Sequence, residues 1–518
     1  MNLKIKDMKR VLTNLIRPFK SNGRIVLIFC VLSLASLFYS ASSQTYVSLD
    51  ECRKRAIEQN YLVKSAQMQA NAAKSLSKAA FTNFLPNASI NGTYTRLNRD
   101  IKLFGEDQFL PIVPYTALTQ EGKINPTAFQ DPSIAPTFLA FNPLTHQPLM
   151  DASGHPVFKE YAWMPASAMT FDFRNVWMVN AGIVQPIFTG GKVLETWKMA
   201  KVNHQIALSA RNYQVSDVLY NTEYYYWTLV SVREKVILAR KYLSLLEQLS
   251  QDVNNYYAEG IITKTDVLKV EVKREDAELQ LLKAQNGEKL ASMALCRITG
   301  LPLNSDLVPS DSLSISHILP VADSLVQTAY LQRPELMILK NTVDLAHHNT
   351  GLMRSRFMPN LGLTVNSVWL NPNPFDGLSH NFGQDVNIGV VFNVPVFHWG
   401  ERYNTLKAAH LQEEAALNQY DEAASMVNLE IHQLWFSWKE AVKKASIADR
   451  NFQQAEENMK LCTDKFHEGM LKVTDLLEAQ LLYQQAWSEK IEAQTECKLS
   501  EIKLAKATGS LTAETASK

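Results

Sequence analysis

Four short stretches of the chain alternate apolar and polar residues with a period of two. Leu361, Leu363, Val365 and Trp369 alternate with Asn360, Gly362, Thr364 and Asn366, and Val386, Ile388, Val390, Phe392 and Val394 alternate with Asp385, Asn387, Gly389 and Asn393. Earlier in the chain Ile90 and Tyr94 alternate with Asn91, Thr93 and Thr95, and Trp177, Val179, Ala181 and Ile183 keep the same spacing. Period two marks a half-buried strand. Each run is about ten residues long, enough for a tilted strand to cross a bilayer. Lipid-facing barrel strands show this pattern with aromatics near their ends; a soluble sheet with one wet face shows it too. Four strands cannot close a barrel, because about eight is the smallest filled size. A membrane reading therefore requires several chains to pool their strands.

Between these runs the pattern turns helical and repeats. Pro186 aligns with Pro395 at an offset of 209 residues (395 less 186), and the register then holds without a gap. Phe188 meets Phe397, Gly191 meets Gly400, Lys198 meets Lys407 and Ala200 meets Ala409. At the far end Glu259-Gly260 meets Glu468-Gly469, Thr265-Asp266 meets Thr474-Asp475, Leu268 meets Leu477, and Thr299-Gly300 meets Thr508-Gly509. A register that tolerates no insertion belongs to a long helix packed along its length. No proline or glycine lies between Gly191 and Ala258, which predicts a helix of roughly 100 Å at 1.5 Å per residue. Glu259-Gly260 ends it, and Thr263, Thr265 and Asp266 offer capping oxygens to a returning helix over about residues 264 to 296. In the second copy Asp475-x-x-Glu478 resembles a capping box. Ala277, Ala284 and Ala291, and Ala486, Ala493, Ser500 and Ala507, fall at heptad spacing, which lets helices pack closely. Leu268, Val272, Leu279 and Leu282 form a second apolar row, so neighbours are expected on two sides.

Two further helices complete the pattern, one from Ser48 to Phe84 and one from about Asp323 to Phe357, each ending at a Pro-Asn that opens a strand. A last helix is expected over about 473 to 507. The second strand pair is joined by a short link, about Asn371 to Gln384. The first is joined by a long one, Leu97 to Arg174, that contains nine prolines from Pro111 to Pro165. Prolines at that density exclude a long helix and disfavour central strands, so an ordered surface loop is expected. A linker with Gly300, Pro302, Pro309 and Pro320 follows the first returning helix.

Charge is balanced, Lys+Arg 52 against Asp+Glu 51 in 518 residues, so there is no broad basic footprint for nucleic acid. Lys4 to Arg24 supply a basic start, Ile25 to Phe38 an apolar core, and Ala41 and Ser43 a small-residue site before Gln44. That order reads as a secretory signal. Cys30, Cys52, Cys296, Cys462 and Cys497 form no paired spacing, so neither a zinc site nor a disulfide framework is indicated. His204, His347-His348, His410 and His432 show no ligand spacing, and no nucleophile elbow or phosphate loop is present. No catalytic residue, cofactor or metal is expected.

The order helix, Leu/Met-Pro-Asn, strand, strand, Pro-x-Phe, long helix, Glu-Gly, Thr-Asp-x-Leu, returning helix, twice over, resembles the TolC-type outer membrane efflux proteins across essentially the whole mature chain. The resemblance implies a mixed α/β membrane protein. Long α-helical coiled-coil hairpins would form a periplasmic tunnel, and four β-strands per chain would enter a trimeric, twelve-stranded transmembrane β-barrel. It implies a homotrimer in the outer membrane that works with a periplasmic adaptor and an inner-membrane pump. On this reading the chain divides into a signal peptide (1–43), a first structural repeat (44–300) containing the 97–174 loop, a mid-height linker (301–322) and a second repeat (323–518). The Gly-x5-Asp-x-Leu segments, Gly260, Asp266 and Leu268 with Gly469, Asp475 and Leu477, resemble adaptor-docking tips. Asp475 and Glu478 match the family's acidic rings at the tunnel constriction; as bare sequence they are helix-start residues favoured by capping and the macrodipole. The expected role is a passive exit duct of a tripartite efflux system. The alternatives are the outer membrane channel of a type I protein secretion system and an exported coiled-coil structural or adhesion protein. Which substrate passes is not readable.

Overall fold

The structure, a computed structural model, describes residues 45–313 and 321–513. The expected signal segment, Cys30 included, lies outside the described residues. In chain order the elements are β1 (Thr45–Val47), α1 (Leu49–Gln59), α2 (Tyr61–Phe81), β2 (Asn87–Arg96), β3 (Ile101–Lys102), β4 (Gln108–Pro111), β5 (Tyr161–Met164), β6 (Thr170–Phe171), β7 (Asn175–Phe188), α3 (Lys192–Ala258), α4 (Lys264–Thr299), β8 (Leu307–Pro309), α5 (Ala322–Gln332), α6 (Pro334–Ser355), β9 (Asn360–Asn371), β10 (Gly383–Asn393), α7 (Glu401–His467) and α8 (Val473–Ala507). The chain forms two compact units, one helical (up to Ala80, Leu194–Arg354 and from Gly400 onward) and one strand-rich (Phe81–Val193 with Ser355–Trp399).

In the helical unit the repeat is literal. α3 and α7 are both 67 residues long and start and stop at the same 209-residue offset. Their companions α4 and α8 run 36 and 35 residues. One core joins Leu219, Tyr226 and Leu229 of α3 to Ala56 of α1, Leu295 of α4, Leu307 of β8 and Ile502 of α8. A second joins Ile431, Trp438 and Ala445 of α7 to Ala329 of α5, Leu336 of α6, and Ala493 and Leu504 of α8. Ala445 and Ala493 are fully buried, as a small-residue seam requires. The other expected row, Leu268, Val272, Leu279 and Leu282, is about half exposed along α4. Among the described residues nothing of the single chain covers it fully.

Two expected helices are each broken in two. Between α1 and α2 Asn60 takes an extended conformation (φ −67°, ψ 127°), and its Oδ1 accepts the Leu62 N–H at 2.8 Å. Between α5 and α6 Arg333 is extended because Pro334 follows it; its guanidinium donates to Glu430 at 2.6 Å. Each break is seated on a repeat glycine. A Cβ on Gly300 (φ +73°) would stand 2.8 Å from Gln59 Cβ, and one on Gly509 (φ +75°) would stand 2.8 Å from the Arg333 backbone nitrogen. The glycine after α4 thus abuts the first break and the glycine after α8 the second. The linker also supplies one strand of a pair the alternation did not foretell: β8 runs parallel to β1 from the start of the first repeat, with Leu307 beside Thr45 and Pro309 beside Val47.

In the strand-rich unit the four long strands form one antiparallel sheet in the order β10-β9-β7-β2. The 97–174 loop is ordered and is more than a loop. Its two arms prolong the β2–β7 hairpin: Leu97 N–H donates to Arg174 O at 2.9 Å, then β3 pairs with β6 and β4 with β5. Beyond them Ala117, Ala128, Ala135, Phe138 and Leu139 make a separate small core, with Phe129 and Phe158 packed against it.

The pair Arg53–Glu223, half-buried on the arginine side and buried on the carboxylate side, ties α1 to α3. Nε and Nη2 of Arg53 lie 2.9 and 2.8 Å from Oε1 of Glu223, whose residue is 4% exposed. Burial pushes the Glu223 carboxyl up, and Arg53 opposes that. Arg53→Met leaves the carboxylate buried without its partner and is expected to cost about 3 kcal/mol at neutral pH. Because a raised carboxyl takes its proton more readily in the folded state, the deficit shrinks as pH falls toward 5. Thermal unfolding at pH 5 and 8 checks this; an equal loss at both would contradict it.

Candidate functional site

The ends of the two long hairpins are built alike. Gly260 and Gly469 both take φ +76°. At the first, the Gly260 N–H donates to Tyr257 O (3.0 Å) and the Ile261 N–H to Tyr256 O (2.9 Å); at the second, the Gly469 N–H donates to Phe466 O (3.0 Å) and the Met470 N–H to Lys465 O (2.9 Å). This is the Schellman closure, in which a left-handed residue satisfies the last helical carbonyls.

The helices that leave these turns start differently. Thr263 caps α4: its Oγ1 accepts the Asp266 N–H and donates to Asp266 Oδ2 at 2.7 Å, while Lys269 Nζ lies 3.4 Å from Oδ1. The Thr263 hydroxyl and, after it, Lys269 hold the Asp266 carboxyl below the usual range against the effect of burial. In α8 the corresponding position is Lys472, which offers no oxygen, so no side chain caps that helix. The expected Asp475-x-x-Glu478 capping box does not form, because Asp475 is already inside the first turn. Both carboxylates are exposed and share one helix face at i, i+3. Among the described residues neither is ion-paired.

The two ends pack together. Leu249 and Val253 of α3, Val270 of α4, Phe466 of α7 and Val473 and Leu476 of α8 form one buried cluster, and the Tyr256 and Phe466 rings meet at 5.8 Å. A groove of about 440 Å³ runs between α4 and α8, lined by Thr265, Leu268, Lys269, Val272, Lys273, Thr474 and Leu477. Leu268 and Leu477 are thereby brought to one surface, while Gly260 and Gly469 stand in open space.

In the sheet, register sorts the side chains into two faces. Ile90 lies beside Ala181, Ile183 beside Val365, Val365 beside Ile388, Leu363 beside Val390 and Leu361 beside Phe392. Cross-strand partners share a face, so one apolar face spans all four strands. Ile90 is 76% exposed, Ile388 73% and Phe392 67%. Tyr94 and Trp177 sit at one end with ring centroids 4.5 Å apart. The opposite face sets Asn91 beside Asn180, Asn366 beside Asn387 and Thr364 beside Gly389. The outer edges of β2 and β10 carry no strand partner among the described residues. No described helix is long and apolar enough to cross a membrane.

One cluster escaped the linear pattern. Where α3, α6 and α7 meet, His348 Nδ1 lies 2.8 Å from Glu195 and His347 Nδ1 lies 2.7 Å from Glu413, with His410 3.9 Å from the same carboxylate. Burial pushes both carboxyls up, but the hydrogen bonds outweigh it and hold them below their usual range, from Lys198 and His348 for Glu195 and from His347 and Thr350 for Glu413. The pairs His347–Glu413 and His348–Glu195 join residues more than sixty positions apart and leave no spacing to read. Among the described residues no group of His, Cys, Asp or Glu is arranged to hold a metal ion, and Cys52, Cys296, Cys462 and Cys497 are free thiols.

Comparison with known proteins adds the context. The profile of the family described as outer membrane efflux protein matches residues 159–301 and 325–510. Among curated proteins, the alkaline protease secretion protein AprF of Pseudomonas aeruginosa is 22% identical over 265 residues, 50% of this chain and 55% of AprF. The chain therefore spans about half the length of that relative. Among solved structures, the Campylobacter jejuni CmeC outer membrane channel superposes with a TM-score of 0.66 at 17% identity, covering 90% of this chain and 86% of CmeC. The Vibrio cholerae outer membrane protein VceC gives 0.64 at 14%, covering 89% and 96%. The open-state Neisseria gonorrhoeae MtrE outer membrane channel gives 0.64 at 15%, covering 89% and 88%. The fold is shared with all three.

The glycines separate strain from clash. Gly469→Val meets no atom within 4 Å, so only the left-handed backbone penalises it, by about 1–2 kcal/mol. Gly509→Val meets the same penalty plus the Arg333 backbone and is expected to lower the unfolding temperature further. Equal losses in thermal unfolding would contradict the seating of that helix break on Gly509.

Proposed function

The chain belongs to the outer membrane efflux protein family, and from that premise we propose that three copies form one outer membrane exit duct. Each copy gives its four long strands to a twelve-stranded barrel, and its helical hairpins join those of the other two copies in a periplasmic tunnel. The observation that carries this reading is the sheet: one continuous apolar face, one polar face and two open edges. Lipid covers the apolar face, and β2 of one copy pairs with β10 of the next, because a barrel abolishes edges that hydrocarbon cannot hydrate. The half-exposed row Leu268, Val272, Leu279 and Leu282 supports the same assembly, since a neighbouring helix can cover it.

The duct is passive and has no enzymatic step. The division of the chain into two structural repeats and a linker follows the 209-residue repeat, and the signal peptide follows the basic start and apolar run before Gln44. The tips at Gly260, Asp266, Leu268, Gly469, Asp475 and Leu477 receive a periplasmic adaptor, which connects the tunnel to an inner-membrane pump. Threefold symmetry sets three copies each of Asp475 and Glu478 around one axis, a ring of charge that favours cations. Asp266, tied to Thr263 and Lys269, serves its own helix start.

A second reading, the exit channel of a protein secretion system, is favoured by the likeness to AprF, named for alkaline protease secretion. Deleting the gene tests both. Raised sensitivity to drugs, metals or detergents is the expected result for efflux; unchanged sensitivity with a lost secreted protein moves the assignment to secretion. For the ring, Asp475→Asn with Glu478→Gln is expected to lower cation-over-anion selectivity in planar bilayers, and unaltered selectivity would remove the pair from the constriction.

A further inference from the structure

The 97–174 insertion has a built interior and an unused aromatic side. Its small core is filled by Phe138 and Leu139 with Phe129 and Phe158, so it needs nothing further to hold itself together. Yet on the β4–β5 ribbon Phe109 lies directly opposite Trp163, and Pro111 opposite Tyr161. Phe109 is 65% and Trp163 61% exposed. The Trp163 ring is held in place, because its indole N–H donates to Asp107 at 3.1 Å. Fixed aromatic side chains kept in water are a mark of a contact surface.

Topology says what lies beside that surface. The ribbon prolongs β2 and β7, so β4 continues from β2, the strand with an open edge. The β9–β10 turn stands at the same end of the sheet, since Trp177, near the Arg96 end of β2, pairs with Asn371, and Leu370 pairs with Gly383. That turn carries Phe375, 61% exposed, and Phe382, 54% exposed. When sheets join head to tail, β2 against β10, the turn of the neighbouring copy arrives beside the β4 edge.

Building on the three-copy reading above, we propose that the insertion is a clasp between copies: the Phe109–Trp163 side of one chain seats on the β9–β10 turn of the next, against Phe375 and Phe382. Four aromatic side chains per seam, two from each chain, covered in this way lock the barrel from outside the strand ladder, and the tether to β2 and β7 raises the local concentration of the contact.

The test uses full-length protein in outer membranes, with Cys462→Ser removing the half-exposed thiol. Two differently tagged chains are co-expressed, one Phe109→Cys and one Phe382→Cys, and mildly oxidised. Mixed chains exclude a bond within one copy. A disulfide between the two tags is expected, and neither single variant alone gives it. Trimers that persist without the mixed disulfide overturn the clasp and leave the aromatic side to lipid or to an outside partner; absence of trimers overturns the three-copy reading itself. As an independent readout, Phe109→Ala with Trp163→Ala is expected to lower the temperature at which detergent-resistant trimers dissociate by several degrees, and an unchanged temperature counts against the clasp.

Discussion

A backbone N–H or C=O that faces hydrocarbon without a partner costs several kcal/mol, and the β2 and β10 edges present a row of them. The four-stranded sheet satisfies its interior ladder through β7 and β9 and leaves both outer ladders open. Its apolar face makes water an equally poor surrounding, with Ile90 and Ile388 about three-quarters exposed. Lipid suits the face and forbids the edges; water suits the edges and penalises the face. A larger closed sheet removes both costs at once, and on the reading proposed above identical copies joined head to tail supply one without any new sequence.

The helical unit answers a different demand with the same economy. A 67-residue helix cannot slip against its neighbours without moving every packed side chain, so the repeat keeps its register to the residue. Among the described residues the helices are broken at Asn60 and at Arg333-Pro334, and each break is matched by a glycine whose missing Cβ leaves room for it. Repeat, break and glycine form one unit of construction, used twice.

How far this was legible in the chain depended on the range of the interaction. The 67-residue helices and their Glu-Gly ends were readable because Gly and Pro act locally, and the strands because alternation does. Asn60 was missed because nothing but its own side chain caps the following helix, and Pro334 because the surrounding residues are good helix formers. The capping box at Asp475 was misread because the residue that decides it, Lys472, lies upstream of the motif. The β1–β8 pair, too short to show alternation, joins segments some 260 residues apart, and the His–Glu cluster draws on three helices. The insertion was readable as ordered and proline-limited; its paired arms follow from the β2–β7 hairpin that carries them, which no local composition reveals.

Hydrogen exchange on the protein reconstituted in lipid vesicles tests the closure of the sheet most directly. If copies pool their strands, the amides of Asn87–Arg96 and Gly383–Asn393 on the outer edges exchange as slowly as those of β7 and β9. Fast exchange confined to the outward amides of those two strands, with β7 and β9 protected, would mean that each sheet stands alone and that no barrel forms.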